Sequence, residues 1–199
     1  MQTQTGGIEP GPGDALLIVD AQIDFLPGGR LAVPAGDEVV PVLNAYLRAF
    51  GRRGLPVFAT RDWHPPDHCS FREHGGPWPP HCVAHSDGAR FAPLLDLPCG
   101  VTIISKATEA RKDAYSGFDG TALDGILRAA GVRRLFVGGL ATDYCVLNTV
   151  RDARRLGYAV RLLTDAIRAV DVQPGDGARA VAQMRALGAV DTTLDLIAA

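Results

Sequence analysis

Long apolar runs are missing from this chain of 199 residues. No stretch approaches the roughly 20 consecutive apolar residues of a membrane-spanning helix, which excludes such a span. An excess of charge is missing too: 20 Lys and Arg stand against 22 Asp and Glu, a formal net charge of −2. That balance gives no electrostatic hold on nucleic acid or a membrane surface. Cysteine is scarce, with only Cys69, Cys82, Cys99 and Cys145, so no disulfide framework is expected. The polar, Gly- and Pro-rich residues 1–13 lack the apolar core of a secretory signal. The expectation is a reduced, cytoplasmic protein with a flexible tail over residues 1–13 and one domain over residues 14–199. No period of about 20–50 residues recurs, which removes repeat architectures. GxGxxG is absent after the first strand pattern, which removes dinucleotide binding.

What is present is a 47% hydrophobic composition, enough for a sizeable core in one domain. Short β-rich runs at 15–19, 57–60, 101–105, 135–137, 159–163 and 189–192 alternate with helical patterns at 38–53, 122–130, 143–156 and 176–187. Gly131, Gly157 and Gly188 follow helical patterns, where a left-handed residue is wanted. Near-continuous apolar strands separated by helices predict a three-layer α/β/α domain around a six-stranded, mainly parallel sheet.

In such sheets ligands bind outside the carboxyl ends of the strands. Asp20 follows the first strand pattern, Asp62 and His64 the second, and Lys106 the third; Cys145 lies one turn beyond the fourth. Singly, each reads as well as a cap or a solvated side chain. Together they bring an acid, an acid–imidazole pair, an amine and a thiol to one rim, which predicts a reaction centre. The run before Cys145 ends in Gly138-Gly139 and a helix start with Thr142 as N-cap. Free N–H groups and the dipole of a first helical turn would lower the thiol's pKa and supply a thiolate. The rival reading is a small buried cysteine packing helix on sheet. Asp20 is nominated as the base and Lys106 as a fixed positive charge. Backbone N–H groups around Ala141 and Cys145 are the candidate oxyanion donors.

All five histidines (His64, His68, His74, His81 and His85) fall within residues 62–85, with Cys69 and Cys82 among them. One Asp and two His can hold a divalent ion and leave positions open for water and substrate. A closed zinc site on Cys69, Cys82 and two histidines is one rival; scattered surface histidines are another.

Five segments carry a family resemblance. They are Ile18-Val19-Asp20-Ala21-Gln22-Ile23-Asp24-Phe25, Arg61-Asp62-Trp63-His64-Pro65, Gly75-Gly76-Pro77-Trp78-Pro79-Pro80-His81-Cys82, Lys106 with Asp113-Ala114-Tyr115-Ser116-Gly117-Phe118, and residues 138–145. With them the chain resembles the isochorismatase-like cysteine hydrolases, and within these the nicotinamidase/pyrazinamidase group. The resemblance implies that fold and a triad of Asp20, Lys106 and Cys145, with Cys145 as nucleophile. It also implies a non-proline cis peptide between Leu140 and Ala141 that turns the Ala141 N–H into the oxyanion hole. Asp62, His64 and His81 become ligands of one divalent ion, zinc foremost and iron or manganese as alternatives, with His68 left open. Phe25, Leu31, Trp78 and Tyr115 become pocket walls. Lys112 competes for the lysine role, but Lys106 directly follows the strand and is preferred.

The implied activity is deamidation of nicotinamide, and of pyrazinamide, to the acid and ammonia through a cysteine thioester, a step of NAD salvage. In it the ring nitrogen meets the metal while the carboxamide faces the thiol. The alternative keeps fold and triad but takes another amide, a carbamoyl or ureido compound. A non-catalytic zinc-stabilised interaction domain is the reading from a different class. The expected partner is a small-molecule amide, with self-association into a homo-oligomer left open.

Overall fold

The computed structural model describes residues 7–197. Of the segment expected as a tail, residues 1–6 lie outside the described residues. Ile8 bridges Ile197 and packs against the core, and Pro10 is buried.

The strands are β1 (Asp14–Val19), β2 (Val57–Asp62), β3 (Thr102–Lys106), β4 (Arg134–Leu140), β5 (Ala159–Arg168) and β6 (Val190–Thr192). The helices are α1 (Val39–Gly51), α2 (Leu123–Ala129), α3 (Leu147–Arg155) and α4 (Asp176–Ala186). One six-stranded sheet has the order β3-β2-β1-β4-β5-β6, and every neighbouring pair is parallel. The mainly parallel sheet of the sequence reading is thus parallel throughout.

Each strand residue of β1 is buried, as a central parallel strand covered on both faces requires. Its side chains part alternately. Leu16 and Ile18 pack with Leu43, Tyr46 and Phe50 of α1, while Leu17 and Val19 pack with Leu127, Val150 and Met184 of α2, α3 and α4. One helix therefore covers one face and three cover the other. Each such Leu or Phe contributes about 1.5–3 kcal/mol by leaving water.

The chain winds outward from β1 in one direction and from β4 in the other, so a crevice opens between their carboxyl ends. Gly139 makes the close approach there possible. It pairs with Val19 at φ 124°, and a Cβ would sit 2.0 Å from the Val19 carbonyl oxygen. At the opposite end of the same strand pair, Arg134 grips Asp14 through both carboxylate oxygens, at 2.7 and 2.5 Å.

β4 does not run straight into an α-helix as the sequence suggests. Thr142–Val146 form a wider π-helical turn, and α3 begins only at Leu147. Ala141, not Thr142, takes the N-cap place, and its carbonyl accepts from the N–H groups of Tyr144 and Val146. Thr142 is instead buried within the turn. Single π turns of this kind are frequent where a helix serves a functional site.

Candidate active site

The crevice gathers the four strand-end groups. Asp20 leaves β1 in a left-handed conformation, φ 45°, with its N–H donating to the Thr60 carbonyl at 3.2 Å. Its Oδ1 accepts from the Thr60 hydroxyl at 2.6 Å, which fixes the carboxylate plane. Its Oδ2 lies 3.0 Å from the Lys106 Nζ, yet among the described residues it is the one fully buried side-chain oxygen without a well-angled hydrogen bond. An acceptor with open lone pairs therefore faces the thiol.

Lys106, the last residue of β3, is fully buried. Such a charge inside a protein needs partners, and it has several. Its Nζ makes a short bond to Asp62 Oδ1, donates to the Ala114 carbonyl at 3.2 Å and lies 3.4 Å from the Cys145 Sγ. Burial alone would strip its proton, but Asp20 and Asp62 outweigh it and hold the amine charged, its pKa well above the ordinary lysine value. Burial lifts the Asp20 carboxyl above the usual carboxylate range despite Lys106. Asp62 moves the other way: burial raises it, but Lys106, His64 and His81 together bring it below.

Cys145 departs from the sequence reading. Burial pushes its thiol well up, Asp20 and Asp62 push it further, and only Lys106 opposes them. This direction is opposite to the lowering expected from a helix end. The Leu140–Ala141 peptide is cis, as the resemblance implied, and Ala141 and Cys145 line the same cavity.

Asp62, His64 and His81 are all buried, each offering a ligand atom within 4.8 Å of the others. Both imidazoles use Nδ1 on backbone carbonyls, His64 on His81 at 3.0 Å and His81 on Pro79 at 2.8 Å. A carbonyl there requires a donor, so Nδ1 carries the proton and each Nε2 keeps its lone pair. Burial lowers both pKa values, that of His64 to about 4, so the rings are neutral near pH 7. Three donors of this chemistry fit a divalent ion with open positions.

Gln22 braces Asp62 from behind: its amide accepts from the Asp62 N–H and donates to the Asp62 and Ala89 carbonyls. His68 has both nitrogens in use, Nδ1 with Ser70 at 2.7 Å and Nε2 on the Lys112 carbonyl at 3.1 Å. Neither Cys69 nor Cys82 belongs to any group able to hold a metal among the described residues, which leaves the closed cysteine site unsupported.

A small, largely apolar cavity opens onto the thiol. Phe25, Leu31, Trp78 and Tyr115, expected as walls, line it with Asp62, His81, Ala141 and Cys145. The Trp78 indole N–H donates to the Tyr115 hydroxyl at 3.0 Å, which fixes both rings. Tyr144 and Val170 also line it, and the sequence reading missed them. Tyr144 meets Trp78 edge to face at 5.1 Å, and its place beside Cys145 was the available signal. Val170 lies just beyond the end of β5, which the sequence reading had placed at residue 163, too early for the strand-end rule to reach it.

Lys112 is nearly half exposed and pairs with Asp119 at 2.9 Å, away from the thiol. In turnover assays Lys112→Ala should keep activity within about twofold, as solvent-exposed pairs contribute little. Lys106→Ala, which leaves two buried carboxylates facing each other without their cation, should lose activity by about 10²-fold or more. The reverse ranking would transfer the lysine role to Lys112.

Fold and site together define a hydrolase of the three-layer α/β class with a buried thiol in its crevice. The isochorismatase domain model matches residues 14–195, and the chain belongs to the isochorismatase family. It is 42% identical to the nicotinamidase of Escherichia coli, over 92% of this chain and 96% of that one. Among solved structures, the pyrazinamidase of Pyrococcus horikoshii in complex with zinc is 50% identical with a TM-score of 0.88, covering 92% of this chain and 99% of that one. PnC1 from L. infantum in complex with nicotinate is 39% identical with a TM-score of 0.87, covering 94% and 96%.

Proposed function

We propose that this protein is a metal-dependent nicotinamidase that converts nicotinamide, and pyrazinamide, to the acid and ammonia. One observation carries the reading: the acid–amine–thiol group and the Asp-His-His cluster meet across a small aromatic cavity, with Asp62 touching both through Lys106. The relatives named above support the choice of substrate.

Cys145 is the nucleophile. As its sulfur attacks the carboxamide carbon, Asp20 takes the thiol proton. The N–H groups of Ala141 and Cys145 stabilise the oxyanion, and Lys106 offsets the negative charge gathered around the sulfur. Asp20 then passes the proton to the departing nitrogen, which leaves as ammonia with a thioester on Cys145. Asp20 next deprotonates a water that attacks the thioester and returns that proton to the sulfur, releasing the acid. Asp62, His64 and His81 are the metal ligands, and zinc is the ion we assign to them. A divalent ion held by these residues would supply an open coordination position for the ring nitrogen, and so would orient the carboxamide toward Cys145. Phe25, Leu31, Trp78 and Tyr115 hold the ring. The four free cysteines support a reducing, cytoplasmic setting, where the product would enter NAD salvage. No helix among the described residues is long and apolar enough to cross a membrane.

Ammonia release from nicotinamide, assayed with and without a chelator, tests the reading directly. Activity should vanish with the chelator and return with zinc. Benzamide has nearly the same shape but no ring nitrogen, so the metal-loaded protein should hydrolyse it about 10²-fold more slowly. Equal rates on benzamide and nicotinamide would remove the positioning role and point to a different amide.

A further inference from the structure

Asp24 is a buried carboxylate that the reaction leaves without a task. It sits in the short helical turn Ile23–Phe25 just beyond Asp20, and its two oxygens serve two different loops. Oδ1 accepts from the backbone N–H of Arg30 at 3.2 Å, and Oδ2 from that of Cys82 at 2.7 Å. Its own carbonyl accepts from the N–H of Leu31 at 3.0 Å. Every one of these contacts adjoins a cavity wall: Phe25 follows Asp24, Leu31 follows Arg30, and His81 precedes Cys82. The Cys82 carbonyl in turn accepts from the His64 N–H at 3.1 Å, so both histidines of the cluster are tied to this point.

The surroundings leave the carboxylate little choice. Cys82 is held at φ 45°, a conformation that a non-glycine residue keeps only where its neighbours enforce it. Gly88 packs directly on Asp24: a Cβ there would lie 2.1 Å from Oδ2. Both oxygens must accept, so an amide of the same shape can satisfy one N–H only and turns its own NH₂ toward the other.

We infer that Asp24 is a positioning residue that fixes the metal-binding loop at His81–Cys82 and the substrate wall at Leu31 together, setting both metal retention and the fit of the substrate ring. The inference rests on the ligand role proposed for His81. Its test compares the parent with Asp24→Asn in two measurements: zinc release into a chromophoric chelator, and KM and kcat for nicotinamide. Asp24→Asn should release zinc about tenfold faster, since losing an outer partner of a metal ligand typically costs about 10–100-fold in affinity. KM should rise more than kcat falls, because Thr60 and Lys106 hold Asp20 by separate contacts. Gly88→Ala crowds the same carboxylate and should shift both measurements the same way, and it supplies the result if Asp24→Asn does not fold. Asp87→Asn alters an exposed neighbour whose side chain meets Arg90, and should leave both unchanged.

A parent that binds no zinc, or a His81→Ala protein that binds as much as the parent, overturns the metal reading itself. A parent holding zinc through His81, with parental release and KM in both Asp24→Asn and Gly88→Ala, overturns the role of Asp24 alone. Reduced stability with release and KM unaltered does the same, leaving Asp24 a brace of the turn.

Discussion

Cys145→Ala should abolish amide hydrolysis, by about 10⁴-fold or more, while the protein still folds and binds metal. The side chain is small and its loss leaves little void. The proposed ligands are oriented by carbonyls of His81 and Pro79 that do not involve the thiol. The measurement is ammonia release alongside metal content and calorimetric binding of nicotinamide. Of the other cysteines, Cys82 comes nearest to competing, since it adjoins His81. Its thiol is buried against the Gly88 carbonyl, and burial raises its pKa well above the ordinary value. Cys99 is exposed and sits just before β3, at the opposite end of the sheet from the crevice. Substantial turnover by Cys145→Ala, or a thioester trapped on Cys82, would end the covalent mechanism as drawn.

Asp20→Asn should cost about 10²- to 10⁴-fold in kcat with KM little changed. The amide keeps the shape and can still accept from the Thr60 hydroxyl through its oxygen. Its NH₂ then replaces Oδ2, placing a donor against the Lys106 ammonium where an acceptor stood. The variant thus loses the proton acceptor and one of the two carboxylates that hold the lysine. Thiol alkylation by iodoacetamide would confirm that Cys145 is still reachable in the variant. Asp62 is the nearest substitute base, since its oxygen lies within 4.8 Å of the Cys145 sulfur. Its pKa is brought down by Lys106 and the histidines against the pull of burial, which makes it the poorer acceptor. If Asp20→Asn kept more than about a tenth of the parental rate, the proton would have to travel by Asp62 and the assignment would change.

Strand positions were legible because a parallel strand buried on both faces leaves an apolar run with clear borders. The places where the reading stopped short have identifiable causes. β5 was expected to end at residue 163 but continues to Arg168, because Asp165 finds partners in the Tyr46 hydroxyl and the Leu194 N–H. β4 was expected to end before Gly138, since glycines ordinarily weaken strands. Here Gly139 is required by the closeness of Val19, a neighbour far away in sequence. The surroundings of the thiol were hidden in the same way. A helix start is visible locally, whereas the burial and carboxylates that decide the pKa come from β1, β2 and β3. The strand-end residues Asp20, Asp62, Lys106 and Cys145 could be placed from the chain alone because topology, rather than side-chain detail, delivers them to one rim. Tyr144 and Val170 could not, since lining a cavity depends on where a side chain points.

The crevice between β1 and β4 divides labour in a way that bears on how such a scaffold acquires new substrates. Of the groups proposed to meet the ring, His64, Trp78 and His81 lie on the long connection after β2, while Phe25 and Leu31 follow β1 and Tyr115 follows β3. The groups proposed to break the bond come from the tips of β1, β3 and β4. Remodelling that loop can therefore alter the side of the pocket that carries the proposed metal ligands while the groups proposed to break the bond stay in place. Lys106 sets the limit to that freedom. It is bonded to Asp62 on the recognition side and to Asp20 on the other, so a lineage that discards the metal must re-house this one buried charge. Descendants of such a scaffold would be expected to vary in everything the loop contributes before they vary at position 62.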